Sequence, residues 1–445
     1  MAPLVPHVII AGGGLAGMAA AEALTRGGFR VTLFESRPFL GGRASSFPLN
    51  SSAENSESID NCQHILLRCC VNLLDFYRRL GSDSMVRFHR EFFFLEPGGR
   101  LSILKGGALP APLHLAGSFA RLPFLSPRAK LSIARAMLAV RLEWGRRRDL
   151  DEISMFDWLR EKQQPDDAVA RFWRPILVSA VNEELDVAAA RHGLQVFRLA
   201  FLSNSTAGQM GVPTVPLSQL YSPAALAGTG LAEVRLRAAV ERIVIENGSV
   251  SGVQSRGERY TADYYIAALP FERLPAVAPE LAVPYERLRH SPITGIHLWF
   301  DRPVTGLPHA ALLDRTVQWF FNKEGGRYLQ LVVSASRSLA GMGRAEIIRL
   351  ARRELAEFLP EAARAELRKA HVIKEVHATF TPSPGLESVR PPAETACRNL
   401  FLAGDWTRSG WPSTMEGAVR SGRLAAEAVA RTAGRPRRYL IPDCC

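Results

Sequence analysis

The first regular signal along the chain is an apolar run, Val8-Ile9-Ile10-Ala11, which reads as a short buried strand. The glycine cluster Gly12 to Gly17 follows at once, and an alanine-rich helical pattern runs from Met18 to Leu24 before Gly27-Gly28 stops it. A second strand, Arg30 to Phe34, ends at Glu35. Further on, Val240 to Ile245 and Val250 to Gln254 flank an Asn247-Gly248 hairpin turn, and Tyr264 to Leu269 is another buried strand. Gly295 to Phe300 and Tyr328 to Ser334 read as strands and Arg344 to Phe358 as a helix. Asn399 to Ala403 is a last strand before a helix that reaches Ala428, while Phe76 to Gln209 reads as mainly helical.

Strand, glycine turn, helix, strand and terminal acid within one βαβ length point to a dinucleotide. Gly12 permits the tight turn, Gly14 lets the backbone approach a pyrophosphate, and Gly17 lets helix pack on strand. The helix opening at Leu15 and Ala16 turns unpaired N–H groups toward phosphate. Glu35, with Ser36 and Arg37 beside it, sits where a carboxylate can accept from both ribose hydroxyls. Seven residues on, Gly42-Arg43-Ala44 brings glycine backbone and a guanidinium to the same cleft, an extension found in FAD proteins rather than nicotinamide dehydrogenases. The predicted fold is α/β. A Rossmann-like FAD-binding domain of the glutathione-reductase type is built from residues 1–75, 210–285 and 392–432. An inserted α+β substrate domain takes 76–209 and 286–391.

Composition narrows the setting. The 445 residues are 47% hydrophobic and 22% charged, which excludes wholesale disorder. No uninterrupted apolar stretch reaches the ~18 residues of a membrane-spanning helix. The N-terminus has no basic segment ahead of an apolar run, so a cytoplasmic protein is expected. The six cysteines have neither zinc-ribbon nor disulfide-framework spacing, and the Asn-x-Ser/Thr triplets at Asn50, Asn204 and Asn247 are then chance matches. No metal site is predicted. Gly228-Thr229-Gly230 lacks a strand–helix context and gives no second nucleotide site.

Of the net charge of +12, a single stretch from Ala120 to Arg148 holds +7, with eight basic residues against Glu143. Within residues 108–148, Ile133, Met137, Val140 and Trp144 share one helical face and Leu131, Leu138 and Leu142 another. Two readings stay open: a core helix with surface arginines, or a patch resting on an anionic membrane. The second places the protein peripherally on the inner face of the cytoplasmic membrane. No nucleic-acid partner is expected.

The C-terminal motif, Gly404-Asp405-Trp406 followed by Trp411 to Ala418, resembles the closing motif of the flavin-containing amine oxidase and phytoene desaturase superfamily. That resemblance implies that Asp405 contacts the ribityl-phosphate part of FAD and that Val240 meets the adenine end through its backbone. It also implies that the helix opening at Met415, Glu416, Gly417 and Ala418 points at the pyrimidine edge of the flavin. Asp60-Asn61-Cys62-Gln63-His64, continued by Arg68-Cys69-Cys70, is similar to the squalene-associated branch, the hydroxysqualene dehydroxylases. The branch implies reduction of hydroxysqualene to squalene in hopanoid-type lipid synthesis, with an external reductant for the flavin. It also makes His64, or Asp60, the candidate acid that protonates the leaving hydroxyl. A carotenoid-type desaturase is the alternative. An amine oxidase fits less well, since the strand Gly295 to Phe300 has no lysine, and a non-catalytic lipid carrier would not need both intact cofactor motifs.

Overall fold

The computed structural model describes residues 5–49, 57–227 and 231–443. Asn50, the Gly228 to Gly230 segment and the Cys444-Cys445 pair therefore lie outside the described residues.

The apolar run at the start becomes β1 (His7–Ala11), followed by α1 (Leu15–Arg26) and β2 (Arg30–Phe34). Three later strands join them: β3 (Ala232–Arg235), β4 (Tyr264–Ala267) and β5 (Leu400–Leu402). The sheet is parallel throughout, in the order β3-β2-β1-β4-β5. Such a sheet is covered on both faces, so its strands are apolar runs without alternation. On one face, α1 packs against the C-terminal helix (Met415–Thr432) in an alanine-rich interface, where small side chains let the two helices approach. Gly422 is part of that approach: a Cβ there would lie 2.1 Å from the Ala16 carbonyl oxygen. The other face carries a three-stranded antiparallel sheet of Arg242–Glu246, Ser249–Ser255 and Glu258–Tyr260. Val240 lies just ahead of that sheet rather than in its first strand.

A second sheet has seven strands, ordered Leu367–Phe380, His290–Phe300, Tyr328–Ser334, Trp319–Asn322, His309–Leu312, Glu91–Leu95 and Leu101–Lys105. The last two are strands within residues 76–209, a segment that is otherwise mainly helical, as expected. In Leu101–Lys105 the first three residues run against the usual alternation, with Ser102 inward and Leu101 and Ile103 exposed, while Leu104 is buried in the ordinary way. Helix Arg344–Phe358 backs one face of this sheet through Ile347, Ala351, Leu355 and Phe358. The other face meets a helical layer that includes Pro127–Glu143 and Ala190–Phe197. Among the described residues no helix is long and apolar enough to cross a membrane.

In helix Pro127–Glu143, Ile133 and Val140 are core residues, while Leu131, Leu138 and Leu142 are 55%, 58% and 50% exposed. Leu109 and Leu113 are also exposed. Arg147 is not part of the free basic surface: Glu143, Asp149 and Glu161 hold it at 3.4, 2.6 and 2.6 Å.

Candidate active site

The three glycines after β1 have three different environments. Gly12 has φ +111°, and a Cβ there would lie 2.4 Å from the Ala268 carbonyl oxygen, so only glycine makes this turn. A Cβ on Gly17 would lie 1.9 Å from the Gly12 carbonyl oxygen, which is the close contact of helix on strand. Gly14 is different, with open space and only the Gly42 Cα at 3.8 Å. Its emptiness lies above the start of α1, which has no side-chain cap. Backbone N–H groups and the positive end of the helix dipole thus face a cleft that a pyrophosphate fits.

Glu35 closes this cleft. It is 7% exposed and accepts from the backbone N–H of Gly13 at 2.8 Å and of Arg37 at 2.7 Å, and from the Ser36 hydroxyl at 3.0 Å. The guanidinium of Arg37 donates to the Gly42 carbonyl at 3.0 Å. Ala238 donates to the Glu35 carbonyl at 2.8 Å, which brings the chain leading to Val240 alongside. At the opposite end Arg43 pairs with Asp405, whose other carboxylate oxygen accepts from Ser413. The C-terminal helix starts at Met415, with the Thr414 hydroxyl accepting from Gly417 at 3.0 Å. Glu416 turns away from this cleft. Its buried carboxylate caps helix Val71–Arg79, accepting from Leu73 N–H at 2.7 Å and from the Asn72 amide at 2.9 Å. Only the backbone of Glu416 is left for a cofactor.

Asp60 and His64 each make hydrogen bonds to neighbouring loops. Asp60 accepts from the Ser46 hydroxyl at 2.6 Å and from Leu217 N–H at 2.9 Å, so one oxygen ties two loops together. His64 Nδ1 lies 3.0 Å from the Cys62 carbonyl and so carries the hydrogen, while burial lowers the ring's pKa. The ring is neutral, with Nε2 left as an acceptor. Lys323, which the strand patterns gave no reason to single out, lies near Asp60 and Cys62, with its pKa lowered by burial. Glu272, His290 and His377 bring potential ligand atoms within 4.8 Å of one another, a grouping that no sequence spacing announced.

Next to the closing motif lies a cavity of about 170 Å³. Its walls come from Ile65 to Leu73, the strands carrying Phe92, Leu104 and Trp319, the helices carrying Ile176 and Leu199, and Trp411 to Glu416. Aromatic and aliphatic surface dominates. Among the polar side chains in the wall, His192 and Gln195 are 1% and 5% exposed. Neither was legible in the sequence. Cys69 and Cys70 line the cavity as free thiols, and Asp60 and His64 do not line it.

Comparison with known proteins agrees with this geometry. The profile of the flavin containing amine oxidoreductase family matches residues 15–430. Hydroxysqualene dehydroxylase from Zymomonas mobilis is 28% identical, covering 95% of this chain and 98% of its own. The 15-cis-phytoene desaturase of Synechococcus elongatus is 25% identical over 97% of this chain and 98% of its own. The tomato 15-cis-phytoene desaturase is 26% identical over 95% and 77%. Among solved structures, an oxidoreductase from Methanosarcina mazei superposes with a TM-score of 0.72 at 17% identity, covering 94% of this chain and 98% of that one. Cyclohexylamine oxidase from Brevibacterium oxydans gives 0.70 at 18%, covering 97% and 100%. With a glycine cleft, a buried acid at its edge and a closing helix already in place, the chain belongs to the flavin-containing amine oxidoreductase family and is an FAD-dependent oxidoreductase.

Proposed function

We propose that this enzyme removes the hydroxyl of hydroxysqualene to give squalene. The observation that carries the reading is the apolar lining of the cavity that ends on Trp411 to Glu416, beside the cofactor cleft. A relative of that activity, aligned over 98% of its own length, supports it. We assign the FAD contacts to Gly12, Gly14, Leu15, Ala16, Gly17, Glu35, Ser36, Arg37, Gly42, Arg43, the Val240 backbone, Gly404 and Asp405. The backbone of Met415 to Ala418 completes the set. Segments 1–75, 210–285 and 392–432 form the FAD domain on this reading, and the rest of residues 76–391 the substrate domain.

When bound and reduced by an external donor, FAD would supply the hydride that replaces the hydroxyl, and the second hydrogen of the reduced flavin balances the proton with which the hydroxyl leaves as water. The chain supplies the setting. Phe92, Phe201, Trp319 and Trp411 keep water from the carbon that loses oxygen and offer π faces to the allylic positive charge that develops there. The N-terminus of the C-terminal helix stabilises negative charge on its cofactor side. Asp60 and His64 hold the loop around Cys62 in place. Leu131, Leu138, Leu142, Leu109 and Leu113, flanked by Arg128, Arg135 and Arg141, rest on the anionic inner face of the cytoplasmic membrane, from which a lipid substrate enters.

The desaturase reading has relatives of similar identity on its side. Anaerobic incubation of the reduced holoenzyme with hydroxysqualene, and of the oxidised holoenzyme with phytoene, separates the two. Squalene from the first and unchanged phytoene from the second are expected. Desaturated phytoene with hydroxysqualene recovered intact overturns the proposal.

A further inference from the structure

Residues 435–443 form no helix or strand, yet they are held along a fixed course over the molecule. The Glu427 carboxylate accepts from the backbone N–H groups of Tyr439 and Leu440 at 2.6 and 2.7 Å. The buried Asn72 amide accepts from Ile441 N–H at 2.9 Å and donates to the Ile441 carbonyl at 3.0 Å. A Cβ on Gly27 would lie 2.1 Å from the Tyr439 hydroxyl oxygen, so the end of α1 leaves room for this segment. Ordering such a segment costs backbone entropy, which these contacts offset.

The course delivers Asp443 to the closing motif. One oxygen of its carboxylate accepts from the Trp411 indole N–H at 3.1 Å and from the Arg420 guanidinium at 2.8 Å. Arg420 also donates to the Ser409 carbonyl at 3.2 Å, two residues ahead of Trp411. Trp411 is 6% exposed and stands in the cavity wall, which Asp443 does not reach. An indole has a single N–H, and a buried one needs an acceptor. Aimed into an apolar cavity, it would be a donor that no hydrocarbon can satisfy. Aimed at Asp443, it is satisfied from the protein side, and the ring turns carbon to the cavity.

We infer that Asp443 is a positioning residue for the isoprenoid cavity, holding the indole N–H of Trp411 away from the ligand. The inference rests on reading the cavity as the isoprenoid site, and it gives residues 435–443 a part in that site. Asp443 acts through Trp411 and touches neither substrate nor reacting atoms. No bond is made or broken at it.

The test uses the oxidised holoenzyme, which has no hydride to give, with squalene as the apolar probe. The Trp411 indole signal is identified in the ¹⁵N–¹H spectrum as the one missing from Trp411→Phe. Asp443→Ala should move that signal upfield, and Asp443→Asn, whose amide oxygen still accepts, should leave it in between. Squalene binding, read from the perturbation of the flavin spectrum, should weaken about tenfold in Asp443→Ala and about twofold in Asp443→Asn. In a Trp411→Phe background, Asp443→Ala should change it by less than about twofold, because the N–H it served is gone. A purely structural role for Asp443 predicts the same loss in both backgrounds, and that result overturns the inference. An unmoved indole signal or an unchanged squalene affinity in Asp443→Ala also overturns it. A wild type that binds no squalene removes the cavity reading and the inference together. Turnover separates the remaining cases. Squalene formed by the reduced wild type, with full squalene affinity in Asp443→Ala, leaves the reaction standing and removes the positioning role. An affinity loss that depends on Trp411, with no squalene formed from hydroxysqualene, keeps the positioning role and removes the reaction.

Discussion

The Glu35 carboxylate accepts a hydrogen bond from the backbone N–H of Gly13 at 2.8 Å, joining the end of β2 to the glycine turn after β1. Its other oxygen is engaged by Arg37 N–H and the Ser36 hydroxyl, so the acid is fixed before any ribose arrives. Glu35→Lys removes that acceptor and places a cation against backbone donors. FAD affinity should fall about 10–100-fold, the range of one or two charge-assisted hydrogen bonds. Flavin-to-protein ratio after gel filtration checks this, and a variant that stays fully yellow contradicts it.

Two glycines of the same turn should fail in different ways. A Cβ on Gly17 meets the Gly12 carbonyl at 1.9 Å, so Gly17→Ala should destabilise even the apoprotein by roughly 3 kcal/mol. Gly14 has room for a methyl group. Gly14→Ala should leave apoprotein stability within about 1 kcal/mol while flavin binding is lost, because the methyl occupies the path of the pyrophosphate. Urea unfolding of both apoproteins, beside their flavin content, separates the roles.

The parts of the chain legible in advance are those whose chemistry is local. β1, the glycine turn, α1, β2 and Glu35 lie within thirty-five residues, and each residue type answers to a backbone requirement next to it. Strand Leu101–Lys105 was hidden because an exposed Leu101 and Ile103 and a buried Ser102 reverse the usual polarity. His192 and Gln195 were hidden for another reason. Their neighbours Glu387 and Gly410 come from some two hundred residues away, and only packing brings them together. Asp60 and His64, the two ends of the branch motif, make hydrogen bonds to neighbouring loops that local sequence does not announce.

Acid should weaken the fold through buried histidines. Burial lowers His192 and His309 to about 4 from 6.5. The folded state therefore favours the neutral rings, so their contribution is complete above pH 6.5 and is lost as pH falls toward 4. Each contributes at most about 3 kcal/mol. Asp151, raised to about 6 by burial and by Glu387, acts in the opposite sense between pH 4 and 6. His309 donates from Nε2 to the Glu91 carbonyl at 3.1 Å, a bond a glutamine amide can keep. His309→Gln should flatten the decline in urea midpoint between pH 6.5 and 4.5, and an unchanged slope contradicts the assignment.

Membrane contact should depend on which arginine is changed. Replacing Arg128, Arg135 and Arg141 with Ser, or Leu138 with Asp, should abolish most co-sedimentation with anionic vesicles at low salt, at about 1 kcal/mol per basic residue. Arg147→Ser should instead lower stability by about 1 kcal/mol, since three carboxylates already hold that side chain. Equal binding to neutral and anionic vesicles contradicts the electrostatic part.

The reaction is tested most directly by following one hydrogen. Holoenzyme reduced with deuterium at the flavin N5 position is mixed anaerobically with hydroxysqualene in protiated buffer, in a single turnover faster than N5 exchange. The account predicts squalene carrying one deuterium at the former carbinol carbon, one equivalent per flavin oxidised. Squalene without the label, or hydroxysqualene recovered unchanged from fully reduced enzyme, contradicts it.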